Sequence, residues 1–353
     1  MCRRLVNGAL AASCLLAWAV TTAEAYELEQ IQTERGNVPL YLPSDAEPDA
    51  LLPLVVSLHG YTGNGSQHEN YFNLRSRVDK SQFLLCVPNG LQNAQGDRFW
   101  NATDFCCDFS DQNPDDSGYL RSLIETVIAD HPVDLESIHV VGHSNGGFMS
   151  YRMACDHADL VSSVASLAGA TFSVRSDCTP SEQVHALQIH GTEDTTIRYG
   201  GGCIPFYACY PGALESIMLW AEYNQCDGTM ETGMDLDLDS SISGAETTRT
   251  LITEGCAERG ATELWTINGG SHGPSFNPNF RRELVDWLLE HRRYEPPECP
   301  ADVNGDGSVE GADLNDLLSA WDSTDERYDI DGDGLVGGGD LTILLGFWGD
   351  CPE

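Results

Sequence analysis

Short, continuous apolar runs recur along the first part of the chain, separated by longer segments in which apolar residues return with helical spacing. The runs Leu54–Leu58, Phe83–Val87, Ile138–Val141, Ala186–His190 and Leu264–Ile267 predict strands buried on both faces. The segments Tyr119–Ala129, Gly147–Asp156, Leu214–Tyr223 and Arg281–Arg293 predict helices. In the last of these, Leu284, Trp287 and Leu288 share one face, as a helix covering a sheet requires. This alternation over residues 26–295 predicts an α/β domain built on a doubly wound sheet. Pro296-Pro297 then stops any helix and marks a seam. The acidic stretch Met234–Asp239 reads as a solvated loop or edge.

Beyond the seam the pattern changes. Residues 299–353 hold 14 acidic side chains and one base, Arg327. DVNGDGSVEGADLNDLLSAW (302–321) aligns with DIDGDGLVGGGDLTILLGFW (329–348), an internal repeat at an offset of 27 residues. The tail is therefore a second, small unit joined by a short linker.

The N-terminus carries a targeting pattern rather than a fold. Arg3 and Arg4 precede the apolar run Ala9–Val20, and Ala23-Glu24-Ala25 supplies a small-x-small cleavage site. A signal peptide over residues 1–25 is expected, and with it secretion. No later stretch is long and apolar enough to span a bilayer. The whole chain has 13 cysteines, and removing Cys2 and Cys14 with the leader leaves an odd number. An exported chain this rich in cysteine is expected to form disulfides with one thiol left over. Cys86, inside an apolar strand, is the expected spare. With 55 acidic against 18 basic residues, the formal net charge is −37. That excludes a nucleic-acid partner, which needs a basic face, and opposes docking on an anionic membrane.

Gly142-His143-Ser144-Asn145-Gly146 follows a predicted strand and opens a predicted helix. In that setting a G-x-S-x-G segment is a sharp turn that projects the serine hydroxyl above the sheet, at a helix N-terminus that favours developing negative charge. Serine needs a base, and the base needs an orienting acid. Asp194 follows strand Ala186–His190, and His272 lies in the glycine loop after strand Leu264–Ile267. The expected set is thus Ser144, Asp194 and His272, with Glu193 as the alternative acid. The oxyanion hole is expected from the backbone N–H of Asn145 and that of Tyr61 or, alternatively, Thr62, in the loop after strand Leu54–Leu58. The remaining histidines read as structural, and no cluster in this unit has zinc-ligand spacing.

PLVVSLHGYTGNG, FWNATDFCCDF with DDSGY, GHSNGGFMSYRMACDHADL, LQIHGTEDTTIRYGG and GGSHG stand in that order between Pro53 and Trp287. In these motifs the chain resembles the secreted esterase family of polyhydroxybutyrate depolymerases and feruloyl and acetylxylan esterases. The resemblance implies an α/β-hydrolase fold and ester hydrolysis through an acyl-enzyme, with Ser144 as nucleophile, Asp194 as acid and His272 as base. Feruloyl or acetyl esters of plant cell-wall polysaccharide are the expected substrates, because the dockerin-like tail described below belongs with polysaccharide-degrading assemblies; polyhydroxybutyrate depolymerase is the alternative, and a catalytically dead binding or scaffold protein is the second. The resemblance also implies a Cys226–Cys256 bridge. Cys203 and Cys209 bracket a short loop, while the pairing of Cys106, Cys107, Cys155 and Cys178 stays open.

In the tail, D-x-N/D-x-D-G places oxygen ligands at loop positions 1, 3 and 5, a backbone carbonyl at 7 and an acid at 12. The first repeat supplies Asp302, Asn304, Asp306, Ser308 and Asp313; the second supplies Asp329, Asp331, Asp333, Leu335 and Asp340. Structural Ca²⁺ is the expected ion, with no cofactor for catalysis. Aspartate at position 12 and prolines that forbid an entering helix make the tail resemble a type I dockerin. Its implied partner is a cohesin, and surface attachment or sorting is the alternative. Cys299 and Cys351 bracket the unit and are expected to clasp its ends.

Overall fold

The computed structural model describes residues 26–47, 50–203, 208–257, 260–293, 299–325 and 327–351. The expected signal peptide (1–25) and the Pro296-Pro297 seam lie outside these residues. Among the described residues no helix is long and apolar enough to cross a membrane.

One large sheet organises the first unit. Its strands are β1 (Glu27–Thr33), β2 (Gly36–Leu42), β3 (Leu52–Leu58), β4 (Leu84–Cys86), β5 (Val133–His143), β6 (Ser163–Leu167), β7 (His185–Gly191), β8 (Glu231–Thr232), β9 (Thr247–Ile252) and β10 (Thr262–Ile267). They lie in the order β1-β2-β4-β3-β5-β6-β7-β10-β9-β8. Strands β4, β3, β5, β6, β7 and β10 run parallel, and antiparallel pairs finish both edges.

Every predicted strand is present, and the reason for their unbroken apolar character is visible. Leu54, Val56 and Leu58 pack on one side of the sheet, while Val55 packs on the other. Helices α2 (Asp116–Asp130), α3 (Asn145–Asp156) and α4 (Ala213–Tyr223) cover the first side. Helices α1 (Gly65–Phe72) and α5 (Pro278–Glu290) cover the second through Phe72, Phe280, Leu284 and Trp287. The sheet is doubly wound, as expected.

Two expectations need correction. Helix α5 begins at Pro278, before the predicted Arg281, because the Asn277 side chain caps the Asn279 N–H (2.8 Å) and proline occupies the first turn. It ends at Glu290 rather than Arg293. The stretch Met234–Asp239 is not wholly solvated: Leu238 and Asp239 are buried. Their amides both donate to Glu246 Oε1 at 3.0 Å, which satisfies the buried backbone.

The disulfides are Cys106–Cys107, Cys155–Cys178, Cys203–Cys209, Cys226–Cys256 and Cys299–Cys351. Among the described residues Cys86 is the free thiol, and burial pushes its pKa up to about 12. The tail has its own small core of Ala301, Val309, Leu317, Val336 and Leu344. Helices α6 (Gly311–Ser319) and α7 (Gly338–Gly346) each follow one acidic loop. Val309 and Val336, like Leu317 and Leu344, are repeat equivalents, so the sequence repeat is also a packing repeat.

Candidate active site

Parallel strands deliver the segments after their carboxyl ends to one rim of the sheet. Ser144 leaves β5 there with φ 54° and ψ −119°, a backbone conformation that L-residues rarely adopt. The surroundings fix it. Its N–H donates to the Leu167 carbonyl (2.8 Å) and its carbonyl accepts from Phe148 (3.0 Å). A Cβ on Gly142 would strike the Gly146 carbonyl, and one on Gly146 would strike that of Leu58. The flanking glycines are therefore a steric requirement of the turn.

Strands β7 and β10 are adjacent, with Gly191 opposite Ile267. Their trailing loops are stitched together: Glu193 N–H donates to Gly270 O (2.9 Å), and Gly269 N–H donates to Thr192 Oγ1 (2.8 Å). This brings His272 Nδ1 to 2.7 Å from Asp194 Oδ2. Asp194 is buried, whereas Glu193 is exposed, so the geometry selects Asp194 as the partner. Oδ1 of Asp194 accepts the amides of Thr196 (2.8 Å) and Ile197 (2.9 Å). Burial alone would raise this carboxyl, but the hydrogen bonds from His190 and His272 outweigh it and hold the group well below the usual carboxylate range.

His190 was not foreseen at this carboxylate. Its Nε2 donates to Ile197 O (2.8 Å) and lies 3.3 Å from Asp194 Oδ2, while Nδ1 faces the Gln188 amide at 3.0 Å. His143, inside the serine turn, donates from Nε2 to the His272 carbonyl (2.8 Å). Burial lowers its pKa to about 4, so it stays neutral and ties the serine turn to the histidine loop.

The loop after β3 meets the same turn. A Cβ on Gly60 would lie 3.3 Å from the Ser144 Cβ, which places this loop beside the serine. Thr62 N–H donates to Arg98 O at 2.8 Å, so that amide is already engaged in holding the loop. Asn145 enters through its side chain as well as its backbone. Oδ1 accepts from Trp100 N–H (2.7 Å), and Nδ2 donates to Trp100 O (2.9 Å). Trp100 lies in the FWNATDFCCDF motif, but nothing in those letters signals this contact.

The acidic loops of the tail are curled by their own carboxylates. Asp302 Oδ2 accepts from Gly307 N–H, and Asp329 Oδ2 accepts from Gly334 N–H, both at 2.8 Å. Asp306 and Asp333 accept from Ser308 and Leu335 amides. Oxygen atoms of Asp329, Asp331 and Asp333 lie within 4.8 Å of one another. The position-12 acids do something further: Asp313 accepts from Asn304 and Glu310 amides, and Asp340 from Ile330, Asp331 and Gly337. Each closes its loop onto the helix that follows. Asn304 accepts from the Asp306 amide at 2.9 Å.

A family model described as alpha/beta hydrolase fold matches residues 53–189. The chain is 26% identical over 240 residues to feruloyl esterase B of Piromyces equi, covering 65% of this chain and 41% of that protein. It is 23% identical over 210 residues to poly(3-hydroxyalkanoate) depolymerase C of Paucimonas lemoignei, covering 57% of this chain and 48% of that one. In both cases the match spans about half of the relative or less. Among solved structures, the acetyl xylan esterase from Aspergillus awamori superposes with a TM-score of 0.53 at 14% identity. That likeness covers 74% of this chain and 98% of the other, and concerns the fold.

Proposed function

From the premise that the chain has an α/β-hydrolase fold, we propose that it is an extracellular serine esterase acting on polymer-borne carboxylic esters. The observation that carries this reading is Ser144 on its strained turn with the Asp194–His272 pair delivered to the same rim. In this reading His272 Nε2 takes the proton from Ser144 Oγ as the oxygen attacks the ester carbonyl. The tetrahedral oxyanion is met by the Asn145 and Tyr61 amides at the N-terminus of α3. The alcohol leaves with the proton from His272, and water then attacks the acyl-enzyme by the same route in reverse. Asp194 fixes the Nδ1–H tautomer of His272 and stays ionised throughout.

Feruloyl and acetyl esters of plant cell-wall polysaccharide are the proposed substrates, supported by the feruloyl esterase relative. The depolymerase relative supports polyhydroxyalkanoate as the second reading. Release of ferulate from methyl ferulate, acetate from acetylated xylan and soluble acid from a polyhydroxybutyrate film, measured side by side, tests the choice. Turnover of the film alone would reverse it. The disulfides support an oxidising, extracellular setting.

The tail is read as a calcium-ordered, dockerin-like module. Its residues fit the ion: Asp329 Oδ1 is buried without a hydrogen-bond partner at the point where Asp331 and Asp333 converge. The Asp333 amide favours the charged form of Asp331, yet desolvation and the carboxylates of Asp340, Asp333 and Asp329 together leave its pKa raised. A divalent cation relieves that crowding. The ligands would be Asp302, Asn304, Asp306, the Ser308 carbonyl and Asp313 in one loop, and Asp329, Asp331, Asp333, the Leu335 carbonyl and Asp340 in the other. A cohesin is the proposed partner, and attachment at a cell surface is the alternative.

A further inference from the structure

Trp100 lies in the FWNATDFCCDF segment, is fully buried, and belongs to none of the reacting groups. Its hydrogen bonds nevertheless run to both halves of the proposed oxyanion hole. On one side its backbone N–H and C=O form a two-point clamp on the Asn145 amide side chain, at 2.7 and 2.9 Å. Asn145 is itself fully buried and opens helix α3, so the clamp fixes the first peptide after the nucleophile. On the other side the indole Nε1–H donates to the His59 carbonyl at 3.0 Å, one peptide before the Gly60–Tyr61 bond.

That second arm is braced further. His59 Nε2 accepts from Gly90 N–H (3.0 Å), which puts the ring proton on Nδ1, and Nδ1 donates to Gly60 O at 2.8 Å. Burial lowers the His59 pKa to about 4, consistent with one fixed neutral tautomer. Gly60 O also accepts from Gly63 N–H at 3.1 Å. Two donors on that carbonyl fix the Gly60–Tyr61 peptide plane, and in a trans peptide the Tyr61 N–H is thereby turned to the opposite side. The indole ring lies 5.2 Å from the His59 ring, centroid to centroid, so the arm is packed as well as hydrogen-bonded.

We propose that Trp100 is a positioning residue that sets the spacing between the Asn145 and Tyr61 amides, and so the fit of the hole to a tetrahedral oxyanion. This rests on the esterase reading above. One side chain holding both donors matters because such donors stabilise a transition state only when preorganised at its geometry, and a misplacement of a fraction of an ångström weakens them.

The test uses Trp100→Phe, which keeps an aromatic ring and both backbone bonds to Asn145 but deletes the pyrrole half of the indole with its N–H. Rates on p-nitrophenyl acetate are normalised to active sites titrated with a fluorophosphonate, so that unfolded enzyme does not count. The expected result is a fall of about 10²-fold in kcat with KM held within about threefold. Affinity for phenylboronic acid, which forms a tetrahedral adduct on serine, should fall in step with kcat. A kcat within about twofold of wild type, or a lower kcat with unchanged boronate affinity, would overturn the positioning role. If Trp100→Phe does not fold, Asn145→Asp is judged by the same two ratios, since it keeps the acceptor for Trp100 N–H and loses the donor to Trp100 O. Absence of ester turnover in the wild-type protein would instead overturn the esterase reading itself, and turnover that survives Ser144→Ala would overturn Ser144 as its nucleophile, each an outcome distinguishable from failure of the Trp100 role.

Discussion

His272 Nδ1 and Asp194 Oδ2 stand 2.7 Å apart although 78 residues separate them, and two amides grip the other carboxylate oxygen. The acid is therefore fixed before any substrate arrives, and the histidine is fixed by the acid. Ser144→Ala should lower kcat by on the order of 10⁶ with little change in thermal stability. Asp194→Asn should cost about 10⁴, because an amide can present its N–H to Nδ1 and favour the wrong tautomer. Glu193→Gln should leave turnover within about twofold, since that side chain faces solvent. Steady-state rates on a p-nitrophenyl ester decide among them, and a larger loss from Glu193→Gln than from Asp194→Asn would reassign the acid.

The placement of Ser144, Asp194 and His272 on one rim was legible because each follows a strand end, where a short motif has few alternative geometries. The strands themselves were legible where burial of both faces is met by large apolar side chains, since continuous apolar runs follow directly. Strand β6, SVASL, was not, because serine and alanine carry little strand signal and only its central place in the sheet buries it. The β1–β2 hairpin was missed because most of β1 is exposed and its sequence is polar. Asn145 was read for its backbone alone. Its clamp on Trp100 spans 45 residues, and no local pattern announces a contact between a loop and a helix start.

Glu69 supplies a pH prediction away from the rim. It is fully buried, its Oε1 accepts from Arg75 N–H at 2.8 Å, and its Oε2 has no partner. Burial raises its pKa to about 7. A carboxyl raised in the folded state binds its proton more tightly there than in the unfolded chain. It therefore costs nothing below the unfolded value and destabilises progressively as pH rises toward 7. Glu69→Gln should remove that dependence. Its stability relative to wild type should improve between pH 5 and pH 8 by on the order of 3 kcal/mol. Urea denaturation at the two pH values measures this, and a mutant-to-wild-type difference that does not change with pH would sink the idea.

Cys86 should be chemically silent in the native protein. The thiolate is the reactive form, and burial in an apolar strand both pushes the pKa up to about 12 and bars access. A thiol-reactive dye should leave Cys86 unlabelled in native buffer and label it in concentrated guanidinium, as read by peptide mass mapping. Rapid native labelling at Cys86 would mean that strand β4 opens locally.

The last prediction separates the tail's ion from the rim's chemistry. Asp329, Asp331 and Asp333 converge in one loop, and Asp302 and Asp306 lie in the other, so removing a bound cation leaves like charges facing one another. Part of the folding free energy of such a unit is then the binding free energy of the ion. The Cys299–Cys351 disulfide keeps the ends together, so loosening rather than dispersal is expected. The rim, by contrast, draws Ser144, Asp194 and His272 from segments that follow strands with their own core. A calcium chelator should therefore speed proteolytic cleavage within residues 299–351 while p-nitrophenyl ester turnover stays nearly constant, and restoring calcium should restore resistance. Cleavage rates that do not respond to chelator would remove the calcium reading. Loss of ester turnover with the sheet still folded would show that the tail holds the rim in its active geometry.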